Sequence, residues 1–75
     1  MVYTDKVHLI ADTLEELHRF ARKIGMKAEW FQDTRIPHYD LLKGKSKVAI
    51  AKGAKVVTSR DIIRLAGESD DKRNN

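Results

Sequence analysis

Apolar positions in the first third of the chain follow two rhythms. Val7-His8-Leu9-Ile10 is a compact apolar run that suits a strand, ended by Ala11-Asp12-Thr13. Leu14, Leu17, Phe20, Ala21 and Ile24 then recur at helical spacing and form one face of an amphipathic helix. Thr13-Leu14-Glu15-Glu16 reads as a capping box, in which a hydroxyl and a carboxylate satisfy the free amides of a helix start. Arg22 and Lys23 complement the dipole at the far end, and Gly25 can adopt the positive φ that stops a helix. His18 falls off the apolar stripe and is expected to be exposed and idle.

Met26 to Phe31 alternates between apolar and polar positions, which predicts a strand with one wet face. Asp33 to Pro37 is a loop, because proline disfavours helix at the residue before it. No pattern assigns a conformation to His38-Tyr39-Asp40-Leu41-Leu42. Ser46 is the expected cap of a short helix over 47–52, stopped by Gly53. Lys55-Val56-Val57 suits a third strand. Thr58-Ser59-Arg60-Asp61 is a second capping box, opening a helix through Ile62, Ile63, Leu65 and Ala66 to Gly67. Residues 68–75 hold no apolar side chain and are expected to be a disordered polar tail. The order strand-helix-strand-loop-helix-strand-helix predicts one small α/β domain over residues 1–67. It would carry a three-stranded sheet, about three helices and at least one parallel strand pair. A poorly covered sheet face predicts a homodimer or higher homo-oligomer.

Composition narrows the function classes. The 75 residues are 41% apolar and 35% charged, compatible with a folded core and a well-solvated surface. A chain of this size buries only about 60% of its unfolded surface, so its stability margin is thin. The absence of cysteine excludes disulfides and thiolate metal sites and fits a cytoplasmic location. No apolar run approaches the roughly 18 residues of a membrane span, and no signal-peptide core is present. The net charge of +4 conceals an asymmetry. Lys43, Lys45, Lys47, Lys52, Lys55, Arg60 and Arg64 face Asp61 alone between residues 41 and 67. Such a segment suits phosphate, in a small nucleotide or in a nucleic acid.

With all strands parallel, their carboxyl ends would gather polar groups on one edge, where ligands of open α/β sheets bind. On that expectation the protein is a non-enzymatic module for a small anionic or nucleotide-like ligand. Trp30 and Tyr39 would stack on it, Lys47 and Arg60 would hold phosphate, and Gln32, His38 and Asp40 would make polar contacts. The alternative is a metal-dependent hydrolase or phosphodiesterase, with His8, His38 and Asp40 holding a divalent ion that activates water, extended by Asp5 or Asp12. A second alternative is a basic nucleic-acid binder, with helices over 48–52 and 58–66 read as a helix-turn-helix. No nucleophile elbow, phosphate loop or dinucleotide fingerprint occurs, so no organic cofactor is expected. Plainer roles compete at each position: Asp12, Thr13, Thr58 and Ser59 as caps, Trp30 as core, and His8 as a buried neutral imidazole.

The segments His8-Leu9-Ile10-Ala11-Asp12-Thr13, Glu16-Leu17-His18-Arg19-Phe20-Ala21 with Ile24-Gly25, Trp30-Phe31-Gln32, and Pro37-His38-Tyr39-Asp40-Leu41 form a combination. With Ser46-Lys47, Ala49-Ile50 and Gly53-Ala54 they resemble domain-of-unknown-function family number four thousand and thirty-one, over roughly residues 1–66. Members of that family often have a longer segment before the His-Leu pair, whereas here Tyr3-Thr4-Asp5 runs almost directly into His8. The resemblance implies a small intracellular protein of bacterial or phage context. The family pattern includes His8, Asp12, Trp30, Gln32, His38, Tyr39, Asp40 and Lys47, and implies no activity.

Overall fold

The structure, a computed structural model, describes residues 1–42 and 44–74, with the side chains of 67–74 left out. Lys43 and Asn75 lie outside the described residues, whereas 68–74, expected to be a disordered tail, fall within the span of the last helix. The chain forms β1 (Val2–Thr4), β2 (His8–Ala11), α1 (Leu14–Lys23), β3 (Phe31–Gln32), β4 (His38–Asp40), α2 (Lys45–Ala51), β5 (Lys55–Val56) and α3 (Ser59–Asn74). The strands make one five-stranded sheet in the order β3-β4-β2-β1-β5. The α/β class and the parallel pair stand as expected, but the sheet has five strands rather than three. Only β1 and β5 run parallel; β1–β2, β2–β4 and β3–β4 are antiparallel.

Two strands escaped the sequence reading because they are short. Val2-Tyr3-Thr4 has strong β character but precedes a turn at once. That turn, Asp5-Lys6-Val7, is built from side-chain hydrogen bonds. The Asp5 carboxylate accepts the Val7 and His8 amides at 2.9 and 2.7 Å. Lys6 sits at φ 81°, where a non-glycine residue costs about 1–2 kcal/mol. Its amide is held by the Thr4 hydroxyl at 2.9 Å, and that hydroxyl donates onward to the His8 carbonyl at 2.7 Å.

The expected strand over 26–31 is instead a helix exit. The Gly25 amide donates to the Arg22 carbonyl and the Met26 amide to the Ala21 carbonyl, with Gly25 at φ 81°. This is the Schellman arrangement, and the buried Met26 is the apolar residue that seats it. A single 3₁₀ turn over Ala28–Trp30 follows, leaving only Phe31 and Gln32 in the sheet. The alternation at 26–31 thus recorded a helix stop rather than a strand. Gly53 and Ala54 end α2 in the same way, through amides donated to Ile50 and Ala49. Ser46 lies inside α2; Gly44 occupies the capping position instead. The capping box at Thr58 forms in full, while at Thr13 the hydroxyl half forms and the Glu16 carboxylate instead accepts the N-terminal ammonium at 2.7 Å. Thr13 accepts the Glu16 amide at 3.1 Å, and Thr58 and Asp61 exchange hydrogen bonds at 3.0 and 3.2 Å. The last helix continues past the expected stop at Gly67.

Register separates the sheet into two faces, since cross-strand partners share a face and neighbours along a strand do not. Thr4 pairs with Leu9, Leu9 with Tyr39, and Tyr39 with Phe31. This face meets Leu17 and Ala21 of α1 and Ala49 of α2 to form the main core. The other face carries Ile10, His8 opposite Asp40, and Gln32 opposite His38. α3 lies on this side, where Ile62 and Ile63 share a cavity with His8 and His38, and Ile62 is its most deeply buried described residue. No helix among the described residues is long and apolar enough to cross a membrane.

Candidate metal centre

Antiparallel pairing moves the functional rim. The start of α1 at Thr13 and the start of α3 at Ser59 fall at opposite ends of the sheet, so they do not share the edge expected for parallel strands. One end instead gathers Asp5 after β1, His8 at the start of β2, Asp40 at the end of β4 and Ser59 after β5. His8 and Asp40 are direct cross-strand partners, and His38 lies diagonally on the same face. One ligand atom from each of His8, His38 and Asp40 falls within 4.8 Å of the others.

The tautomers follow from what each ring touches. His38 Nδ1 lies 2.6 Å from the Ile36 carbonyl, which can only accept, so that nitrogen carries hydrogen. Its Nε2 faces Asp40 Oδ1 at 3.2 Å. His8 Nδ1 lies 3.0 Å from Asp5 Oδ2 and donates to it. Each imidazole thus has its Nδ1 committed to an oxygen, which turns His8 Nε2 and the Asp40-facing His38 Nε2 into the candidate ligand atoms. This carboxylate or carbonyl behind each histidine is the usual support of a metal-bound imidazole. The two rings meet edge to face at 5.3 Å between centroids.

Asp5 anchors the arrangement. Its side chain is only 2% exposed, against 41% for His8. Besides the two turn amides it accepts the Ser59 hydroxyl at 2.7 Å, tying the first residue of α3 to the β1–β2 turn. Burial pushes the Asp5 carboxyl up, but the hydrogen bonds from His8, Ser59 and the two amides outweigh it. They hold the carboxyl well below the usual carboxylate range. Asp5 therefore stays an acceptor behind His8, a supporting role where the sequence suggested a further ligand. Asp12 lies at the other end of β2.

The remaining candidates are dispersed. Gln32 is exposed on the same face as His38 and is its cross-strand partner. Tyr39 points to the opposite face, 2% exposed, with its hydroxyl 2.7 Å from His18 Nδ1. Its ring is therefore closed to a stacking ligand, because strand alternation sends it into the core between two outward-facing neighbours. Trp30 packs against the main core on the α1 side, with the Lys27 ammonium 5.7 Å from its ring centre. Lys47 is exposed on α2, across the sheet from the histidines, and Arg60 is exposed on α3. His18, expected to be idle, packs edge to face on Phe31 at 4.6 Å as well as bonding Tyr39. The helix-turn-helix reading does not hold: β5 stands between α2 and α3 and pairs with β1.

A cavity of about 230 Å³ opens beside the cluster, walled by Ile36 and by Ile62 and Ile63 of α3. These walls were not read from the sequence, because Ile36 and the α3 residues meet only through the fold. A larger, shallower groove of about 530 Å³ follows α1 past Phe20 and Arg22, with no cluster of ligand-type side chains along it.

Comparison with curated proteins and with solved structures finds no match. A family model does match, over residues 3–69, a span that contains His8, His38 and Asp40. The chain belongs to the family described as protein of unknown function, DUF4031.

Proposed function

We propose that this protein is a metal-dependent hydrolase whose divalent ion is held by His8, His38 and Asp40. The observation that carries the reading is the convergence of three ligand atoms within 4.8 Å, with both imidazoles fixed from behind. Two imidazoles and a carboxylate suit zinc and neighbouring first-row ions. Bonds of about 2.1 Å would set tetrahedral ligands roughly 3.4 Å apart, so small side-chain rotations close the site. Three protein ligands leave a coordination position for water, the pattern of catalytic rather than structural sites. A bound divalent ion lowers the pKa of such a water towards 7 and supplies a nucleophile at neutral pH. The His38 Nε2–Asp40 Oδ1 contact at 3.2 Å already brings two of these ligand atoms together.

The test is titration of the protein with Co(II), followed by its visible ligand-field absorption. The expected result is one equivalent bound with a tetrahedral or five-coordinate spectrum, lost in His8→Ala, His38→Ala and Asp40→Ala. Binding that survives all three substitutions would overturn the assignment.

A further inference from the structure

Resting on that metal-hydrolase reading, we infer that the substrate is an uncharged carboxylic ester or related acyl compound with a short aliphatic acyl group. The acyl chain would lie in the cavity between the sheet and α3. The floor of this cavity is His8 and His38, and its walls are Ile36, Ile62 and Ile63. No lysine or arginine among the described residues lines it. Its other polar groups, Asp5 and Ser59, are occupied by each other. A phosphate monoester would bring two negative charges to a site with one divalent ion and one carboxylate ligand. Phosphoryl-transfer sites add cationic clamps for that charge, and this cavity has none. An acyl substrate requires only that the developing oxyanion be stabilised, while aliphatic walls accept the chain.

Size agrees with this chemistry. A volume of about 230 Å³ holds roughly eight water-sized groups, enough for a short acyl chain. Ile63, 61% exposed at the mouth, presents apolar surface that a longer chain would cover. In the reaction, water adds to the carbonyl carbon and the bond from that carbon to the leaving oxygen breaks. The leaving alcohol takes the proton released by the water, giving a carboxylic acid and an alcohol.

The test uses the Zn(II)-loaded full chain with p-nitrophenyl acetate, butyrate, hexanoate and decanoate. Bis(p-nitrophenyl) phosphate and p-nitrophenyl phosphate are assayed beside them. Metal stoichiometry is measured separately by calorimetry. The expected result is ester cleavage with kcat/KM rising about threefold to fourfold per methylene until the cavity is full. Ile63→Glu, at an exposed position, is expected to flatten that rise while one equivalent of zinc still binds. Zinc binding with cleavage of the phosphate compounds but not the esters overturns the substrate class and leaves the metal site standing. So does zinc binding with no cleavage of any of them, or with ester rates that ignore chain length. Failure to bind zinc overturns both readings together.

Discussion

The two faces of the sheet are built to different standards. On the α1 and α2 side, Leu9, Leu17, Ala21, Tyr39 and Ala49 are all at most 2% exposed and form one continuous core. On the α3 side, Ile10 and Ile62 are buried, but they sit beside the half-exposed His8 and an open cavity. The same strands serve both: Tyr39 enters the core, while His38 and Asp40 on either side of it turn towards α3. Core residue and candidate ligands are therefore separated by one residue of strand period. A closely packed face can rigidly hold ligand side chains that themselves contribute little to the core.

Substitutions on the two faces should separate these roles. The largest stability effect is expected from Leu17→Ala, which removes a fully buried side chain and leaves a cavity. A loss of about 2–5 kcal/mol, read by urea denaturation, would unfold much of so small a domain. His38→Ala should do the reverse. Metal binding should disappear, while stability without metal changes by about 1–2 kcal/mol, since the hydrogen bond to the Ile36 carbonyl and the contacts with Asp40 and His8 are lost. If His38→Ala unfolds the protein as Leu17→Ala does, the division between the faces is wrong.

Asp5→Asn tests the link between the faces and α3. It places an amide where His8 and Ser59 both donate, so metal affinity should fall about 10–100-fold by titration. The Ser59→Ala variant removes only the α3 tie and should leave His8 oriented, with a smaller loss of affinity. Equal losses would show that α3, rather than the His8 tautomer, sets the affinity.

The smallest effect concerns the start of α3. Hydrogen bonds from the Thr58 amide and hydroxyl, then the Arg64 guanidinium, hold the half-buried Asp61 carboxyl below its usual range. Its folded pKa is depressed, so its contribution is complete above the ordinary carboxylate value of about 3.9 and is lost as pH falls through the lowered one. Helical ellipticity of the wild type should therefore decline slightly on acidification below that value. In Asp61→Asn that part of the decline should be absent.

Local chemistry was legible wherever a few neighbouring residues carry it. The α1 stripe, the Thr13 cap, the Thr58–Asp61 capping box, the glycine stops at Gly25 and Gly53 and the β5 segment all depend on contacts within one helical turn or strand. Met26 misled because an apolar residue after a helix-ending glycine has the same spacing as the start of an alternating strand. The His38-Tyr39-Asp40 triplet showed polar groups flanking an aromatic one, yet nothing nearby says which side faces the core. That needs Leu9 on one neighbouring strand and Phe31 on the other.

The sequence by itself determined which residues could do chemistry, among them two histidines and an aspartate able to ligate. It also determined where α1 begins and ends, where α2 stops and where α3 starts. Strand direction and register were decided only in three dimensions. An antiparallel pairing of His8 with Asp40, and a turn that buries Asp5 behind His8, depend on partners up to 54 residues apart in the chain. A pairing pattern is chosen by the burial of the whole sheet, so no single segment contains it. Once it forms, strand alternation leaves the tyrosine in the core and sends both of its neighbours to the cavity side.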